Sequence, residues 1–150
     1  MSDNIAKIFD FKKEVTKVEN YLLNLPQAEL PVKHYFVNGL YARELFIPKG
    51  TILTGAIHKT EHLCVMTGDI EIRSEQGGGR YTGYQMFVST PGVKRIGYAL
   101  EDTTFTTLHP TDETDISELE KLLVVQTYEE YEQYLLVNEG NSQKLLGDEL

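Results

Sequence analysis

The stretch Ile47-Pro-Lys-Gly-Thr-Ile-Leu-Thr-Gly-Ala-Ile-His58-Lys-Thr-Glu61-His62-Leu-Cys-Val-Met-Thr-Gly68-Asp-Ile-Glu-Ile72 decides how this chain folds. Two apolar, β-rich runs meet at a short polar turn, and that turn carries two of the four histidines. Pro48-Lys49-Gly50 interrupts the pattern and starts a strand from Thr51 to about His58. A second strand is expected from His62 to Met66, with a tight turn at Thr67-Gly68-Asp69 leading into Ile70–Ile72.

Upstream, Leu40 to Ile47 reads as a strand entered through the turn signal Asn38-Gly39, preceded by an extended segment from Leu30. Downstream, Glu75 to Gly79 reads as a flexible hairpin tip, because three consecutive glycines weaken a strand interior. Tyr81 to Ser89, Val93 to Leu100 and Thr103 to His109 are further strands, with Pro91-Gly92 and Glu101-Asp102 between them. Short strands spaced by turn chemistry in this way predict a sandwich or a barrel.

The flanks are helical. A short helix is expected over residues 3–9, then a longer one in which Phe11, Val15, Val18, Leu22 and Leu25 form an apolar stripe. Asp10 is its expected N-cap and Pro26 its stop. After His109-Pro110, Asp115 with Glu118 has the form of a capping box before Ile116, Leu119, Leu122 and Leu123. Thr127 with Glu130 repeats it before Tyr128, Tyr131, Tyr134 and Leu135, and the residues from Asn141 are expected to be frayed or held in a partner contact.

Composition narrows the function. One hundred and fifty residues, 41% hydrophobic, suit one domain with a substantial core. The net charge of −9 is confined to residues 112–150, which hold eleven acidic and two basic residues; the rest of the chain is balanced. An acidic total argues against non-specific nucleic-acid binding, which needs a basic footprint. The single cysteine, Cys64, cannot form an intrachain disulfide and is expected to be an inert buried thiol. No apolar run is long enough to span a membrane and the first residues lack a signal-peptide pattern, so a cytoplasmic protein is expected.

The glycine-framed histidine turn resembles the first motif of the cupin superfamily, Gly-x5-His-x-His-x(3 or 4)-Glu-x6-Gly, and Pro91-Gly92 resembles the start of the second. Pro48-x-Gly50 opens the run, His58, Glu61 and His62 lie in the turn, and Gly68 closes it. More narrowly, "GLYARELFIPKGTILTGAIHKTEHL", "PVKHYF" and "VSTPGVKRIGYALEDTTFTTLHPTDETD" resemble short cupin-like proteins encoded largely by tailed bacteriophages and some bacteria, over about residues 25–125. The resemblance implies a mainly β, cupin-like jelly-roll barrel with N-terminal and C-terminal helices packed outside. The chain then divides into an N-terminal helical segment, 1–29, a barrel, 30–111, and acidic C-terminal helices, 112–150. Its location would be a bacterial host cytoplasm or a virion.

The resemblance also implies a divalent metal ion held by three imidazoles and a carboxylate. The pattern departs from that set. With His58 in the place of the second family histidine, the first falls on Ala56, and the histidine of the second motif falls near Arg95 or Ile96. The candidate metal ligands here are His58, His62 and His109, with Glu61 near them. His109 shares a strand face with Thr107 and Phe105. A metal-free pocket lined by the same histidines is the competing expectation.

Other candidate pocket residues are His34, Tyr41, Arg43, Lys94, Arg95 and Tyr98. A basic pair such as Lys94-Arg95 ordinarily solvates one face, but adjacent strand residues point to opposite sides, and arginine binds phosphate or carboxylate bidentately. Three functions stay open: a non-catalytic small-molecule-binding protein that sequesters a host metabolite or nucleotide signal, a metal-dependent isomerase, epimerase or oxygenase, and a structural or virion module. A homodimer or higher homo-oligomer is expected from pairing of sheet edges.

Overall fold

The computed structural model describes residues 2–149. Helix α1 (Ser2–Leu23) precedes strands β1 (Val32–Val37), β2 (Leu40–Ile47), β3 (Ile52–Thr54), β4 (Ile57–His58), β5 (His62–Ser74), β6 (Gly77–Ser89), β7 (Arg95–Ala99) and β8 (Thr103–His109). Helix α2 (Ile116–Leu123), β9 (Val124–Val125) and α3 (Tyr128–Glu149) complete the order. Seven strands form one antiparallel sheet in the order β1-β2-β8-β5-β7-β3, with β6 lying along β5, while β4 and β9 form a separate ribbon. The expected class is the observed one: mainly β, with an antiparallel sheet curled into a half-barrel and three helices.

Strand β5 makes the curl. Its residues His62, Cys64, Met66, Ile70 and Ile72 are all buried, so one parity faces inward along its whole length. Gly68 occupies the missing inward position at φ +145°, with Gly83 opposite it in β6 at φ +70°. A methyl group on Gly68 would sit 2.5 Å from Thr103 Oγ1 and 2.7 Å from the Asp102 carbonyl oxygen. The strand bends there and changes partner: Leu63–Thr67 pair with β8, and Ile70–Ser74 pair with β7. The corner is pinned by hydrogen bonds. Asp69 N–H donates to Thr103 Oγ1 at 3.1 Å, and Leu100 N–H donates to the Asp69 carbonyl at 2.8 Å.

Thr67-Gly68-Asp69 is therefore a bend within a continuous strand rather than the tight turn expected from its residues. The turn lies at Glu75-Gln76, and Gly77, Gly78 and Gly79 belong to β6, paired with Ser74, Arg73 and Ile72. Their lack of side chains is used for close approach, since a methyl group on Gly78 would lie 2.9 Å from Arg73 Cγ. The expected strand from Thr51 to His58 also divides. After pairing with β7, the chain leaves the sheet at Gly55-Ala56, and Ile57-His58 pair with Val125 and Val124 instead.

Inside the curl, Ile47, Met66, Ile70, Ile72 and Ala99 form the core, with Leu45, Leu53, Tyr81 and Phe105 packed against it. Helix α1 lies on the outside and runs unbroken through Asp10, because no proline or glycine interrupts residues 2–23. It buries Phe11 and Val15 and reaches Arg73 through Glu14 at 3.0 Å. Asp115 caps α2 by accepting from Glu118 N–H, and Glu130 N–H donates to Thr127 Oγ1 at 3.1 Å, as the two capping patterns predict. Helix α3 carries the segment from Asn141 as helix to Glu149, and Leu150 lies outside the described residues.

The bend gives the first prediction. Gly68→Ala introduces a side chain at an unfavourable φ and against backbone, and should cost about 2–4 kcal/mol of stability. Urea denaturation measures it. A loss below about 0.5 kcal/mol, the usual range for a neutral surface change, contradicts this account of the bend.

Candidate functional site

The open end of the half-barrel is covered by the C-terminal segment. Leu119 and Leu123, one face of α2, pack on the buried ring of Tyr41. The β4–β9 ribbon continues the cover: Lys59 N–H donates to the Leu123 carbonyl at 2.7 Å, and Gly92 N–H donates to the His58 carbonyl at 3.0 Å. Beneath lies a cavity of about 580 Å³ whose walls come from β1, β2, β3, β4, β5, β7, β8 and α2.

Three imidazoles meet in this cavity. His58 comes from β4, His62 from the first position of β5 and His109 from the last position of β8. Their ring centroids are 4.1 Å apart for His58–His62, 4.7 Å for His62–His109 and 5.3 Å for His58–His109. Tyr41 stacks on His109 at 5.9 Å and on His34 at 5.8 Å, and its hydroxyl lies 2.7 Å from His34 Nδ1. A continuous set of rings thus runs from the outer strand to the cavity.

Hydrogen bonding fixes one tautomer. His62 Nδ1 lies 3.0 Å from the Thr60 carbonyl oxygen, which only accepts, so Nδ1 carries the hydrogen and Nε2 presents a lone pair. That Nε2 is buried and has no hydrogen-bond partner among the described residues. His109 Nε2 meets Thr107 Oγ1 at 3.1 Å, leaving its Nδ1 buried and equally without a partner. Buried polar atoms are seldom left this way, since each costs about 1–3 kcal/mol.

The cluster is electrically neutral at neutral pH. Burial lowers His58 to about 2, and the neighbouring imidazoles and the Arg95 and Arg43 charges push in the same direction. Burial likewise lowers His109 to about 4, with His62 and Arg43 contributing. His62 is also lowered, chiefly by burial, against the opposing effect of its bond to Thr60.

The structure brings His34, Tyr41, Arg43, His58, His62, Arg95 and His109 to the cavity wall. It places the three other expected pocket residues elsewhere. Glu61 is exposed on the turn before β5 and lies outside the cavity wall. Tyr98 is 40% exposed on the outer face, because the inward parity of β7 belongs to Arg95, Gly97 and Ala99. Lys94 is 3% exposed but points toward the helices, where its ammonium group meets Glu19 at 2.5 Å and the Gln126 carbonyl at 3.1 Å. Its N–H donates to Glu75, which also accepts from the Tyr128 hydroxyl at 2.8 Å. Lys94, just before β7, is therefore a buried tie between α1 and the segment linking β9 to α3, neither a pocket residue nor a solvated surface charge.

The wall also includes residues that the sequence reading passed over. Thr107 orients His109, and Leu119, Glu120 and Leu123 arrive from the acidic segment. The apolar face of α2 was readable, but nothing in its pattern said that it would cover a cavity. Ala56 lines the cavity too, at the position where the resemblance places a histidine. Cys64 is fully buried, and burial pushes its thiol up to about 11, consistent with an inert role.

A divalent metal does not fit this arrangement. His109 stacks on both His58 and His62, at 15° and 28° between ring planes, while His58 and His62 are tilted by 35°. Among the described residues, no three His, Cys, Asp or Glu side chains are set to hold a metal ion. The carboxylate that would complete the expected shell, Glu61, is absent from the wall.

No protein-family model and no curated protein matches the chain. Solved structures similar to it include the plu4264 protein of Photorhabdus luminescens, 16% identical with a TM-score of 0.49, covering 65% of this chain and 88% of that one. KdgF from a Halomonas species is 17% identical at a TM-score of 0.47, covering 57% and 86%. A cupin-2 domain containing protein from Shewanella frigidimarina is 16% identical at 0.43, covering 63% and 92%.

The neutral cluster makes stability pH-dependent. An unfolded histidine takes up a proton near pH 6.5, whereas His109 resists it to about 4 and His58 to about 2. The unfolded state therefore binds more protons below pH 6.5, and stability falls as pH drops from there toward 4. Each affected histidine should contribute up to about 1.4 kcal/mol per pH unit. Urea titrations of wild type and His109→Gln between pH 7 and 4 should show a shallower fall in the variant; equal slopes contradict the burial of a neutral ring.

Proposed function

We propose that this chain is a non-catalytic, small-molecule-binding protein of the cupin-like type. The observation that carries the reading is the pair of buried imidazole nitrogens, His62 Nε2 and His109 Nδ1, facing no protein partner beside a cavity of about 580 Å³. That volume lies in the range of metabolite sites. A bound molecule offering hydrogen-bond donors would satisfy His62 Nε2, which the tautomer leaves as an acceptor, once a neighbouring ring moves aside to open that buried nitrogen.

The same burial supports binding without turnover. A general base works best with a pKa near the operating pH, whereas His58 and His109 sit at about 2 and about 4. The resemblance to short phage-encoded cupin-like proteins gives the reading its finer form: an accessory protein that sequesters a host metabolite or nucleotide signal. Sequestration needs a cavity that closes over its ligand, a role suited to α2 and the β4–β9 ribbon.

Thermal-shift and native mass-spectrometric screening against nucleotide and sugar-phosphate panels tests the reading. At least one compound should bind stoichiometrically, raise the melting temperature by several degrees and be recovered unchanged. His62→Phe, which removes the acceptor while keeping a flat ring, should weaken it at least tenfold. Chemical conversion of the bound compound, or silence across the panels, would overturn the proposal.

A further inference from the structure

The cavity wall carries two guanidinium groups against one carboxylate. Arg95 enters from β7 and Arg43 from β2, so the two guanidinium groups approach from different strands of the curled sheet. Neither makes an ion pair with a carboxylate among the described residues. Against them the wall holds a single carboxylate, Glu120, and neutral imidazoles.

Arg95 is half-buried and already oriented. It donates to Ser89 Oγ at 2.9 Å and lies over the Phe87 ring at 5.5 Å, with Ser89 itself buried. Such packing holds the planar fork in place while leaving other N–H donors for a ligand. Arg43 is more exposed and stands at the rim, across from Thr107 of β8. A partly desolvated cation without a counterion is costly, and a bound anion would supply what the fold omits.

From this geometry we infer that the cavity takes a small oxyanion, with Arg95 and Arg43 gripping a carboxylate or phosphate. This assignment rests on the binding reading above and names the chemical class of its ligand. Carboxylate and phosphate share the recognition chemistry, planar or tetrahedral oxygen acceptors facing a guanidinium fork, and a matched set of probes separates them.

Isothermal titration calorimetry with glucose 6-phosphate, gluconate and glucose holds the hydroxylated frame nearly constant while changing the charged group. One or both anions should bind at least tenfold more tightly than glucose, and added salt should weaken them. Arg95→Gln and Arg43→Gln should each reduce that affinity tenfold or more, while Arg80→Gln, at the exposed Asp69 pair, should leave it unchanged. Circular dichroism confirms that the variants remain folded. If glucose or an uncharged nucleoside binds as well as the anions and the arginine variants change nothing, the oxyanion assignment falls and the binding cavity stands. If no probe binds, charged or neutral, both fall.

Discussion

The contact between Gly68 and Thr103 shapes everything else in this molecule. With no side chain at position 68, β5 can bend against the Asp102–Thr103 backbone and exchange β8 for β7 as its neighbour. A flat sheet would leave His62 and His109 on one open face. The bend turns that face into a concave wall and leaves a mouth that α2 can cover. The position of one glycine thus decides whether the chain has an interior to put a site in.

Within that interior, desolvation dominates. Three rings held about 4–5 Å apart under the apolar face of α2 resist protonation, and two nearby guanidinium groups reinforce this. The outcome is an uncommon wall, made of neutral imidazoles beside arginines that have no ion-pair partner among the described residues. Such a wall suits a ligand that brings negative charge. The stacked rings and the outward Glu61 make it a poor metal shell, although the histidines that a metal would want are gathered there.

Much of this was legible in the sequence. Short strands spaced by turn chemistry predicted the sheet, and the shared face of Phe105, Thr107 and His109 made His109 a candidate to join His58 and His62. The same parity rule, applied to Arg95, Gly97 and Ala99, shows why Tyr98 faces outward, so that error was avoidable. Lys94 was different: its partners Glu19 and Gln126 lie far away in sequence, and local pattern does not reveal a tie between distant segments. Gly68 was legible as a turn residue, but whether a glycine ends a strand or bends it depends on the partner strands. The role of α2 as a cover was hidden for the same reason, since an amphipathic face does not name what it packs against.

The central claim is that His58, His62 and His109 form a neutral, buried cluster in which His62 keeps Nε2 as an acceptor without a partner among the described residues. Nitrogen-15 NMR of the histidine side chains, titrated from pH 7.5 to 4.5, tests it most directly. Resonances of His58 and His109 should remain those of neutral rings down to about pH 5, with His62 present as the Nδ1–H tautomer at neutral pH. Ordinary titration of these rings near pH 6.5, or an Nε2–H tautomer for His62, would contradict it.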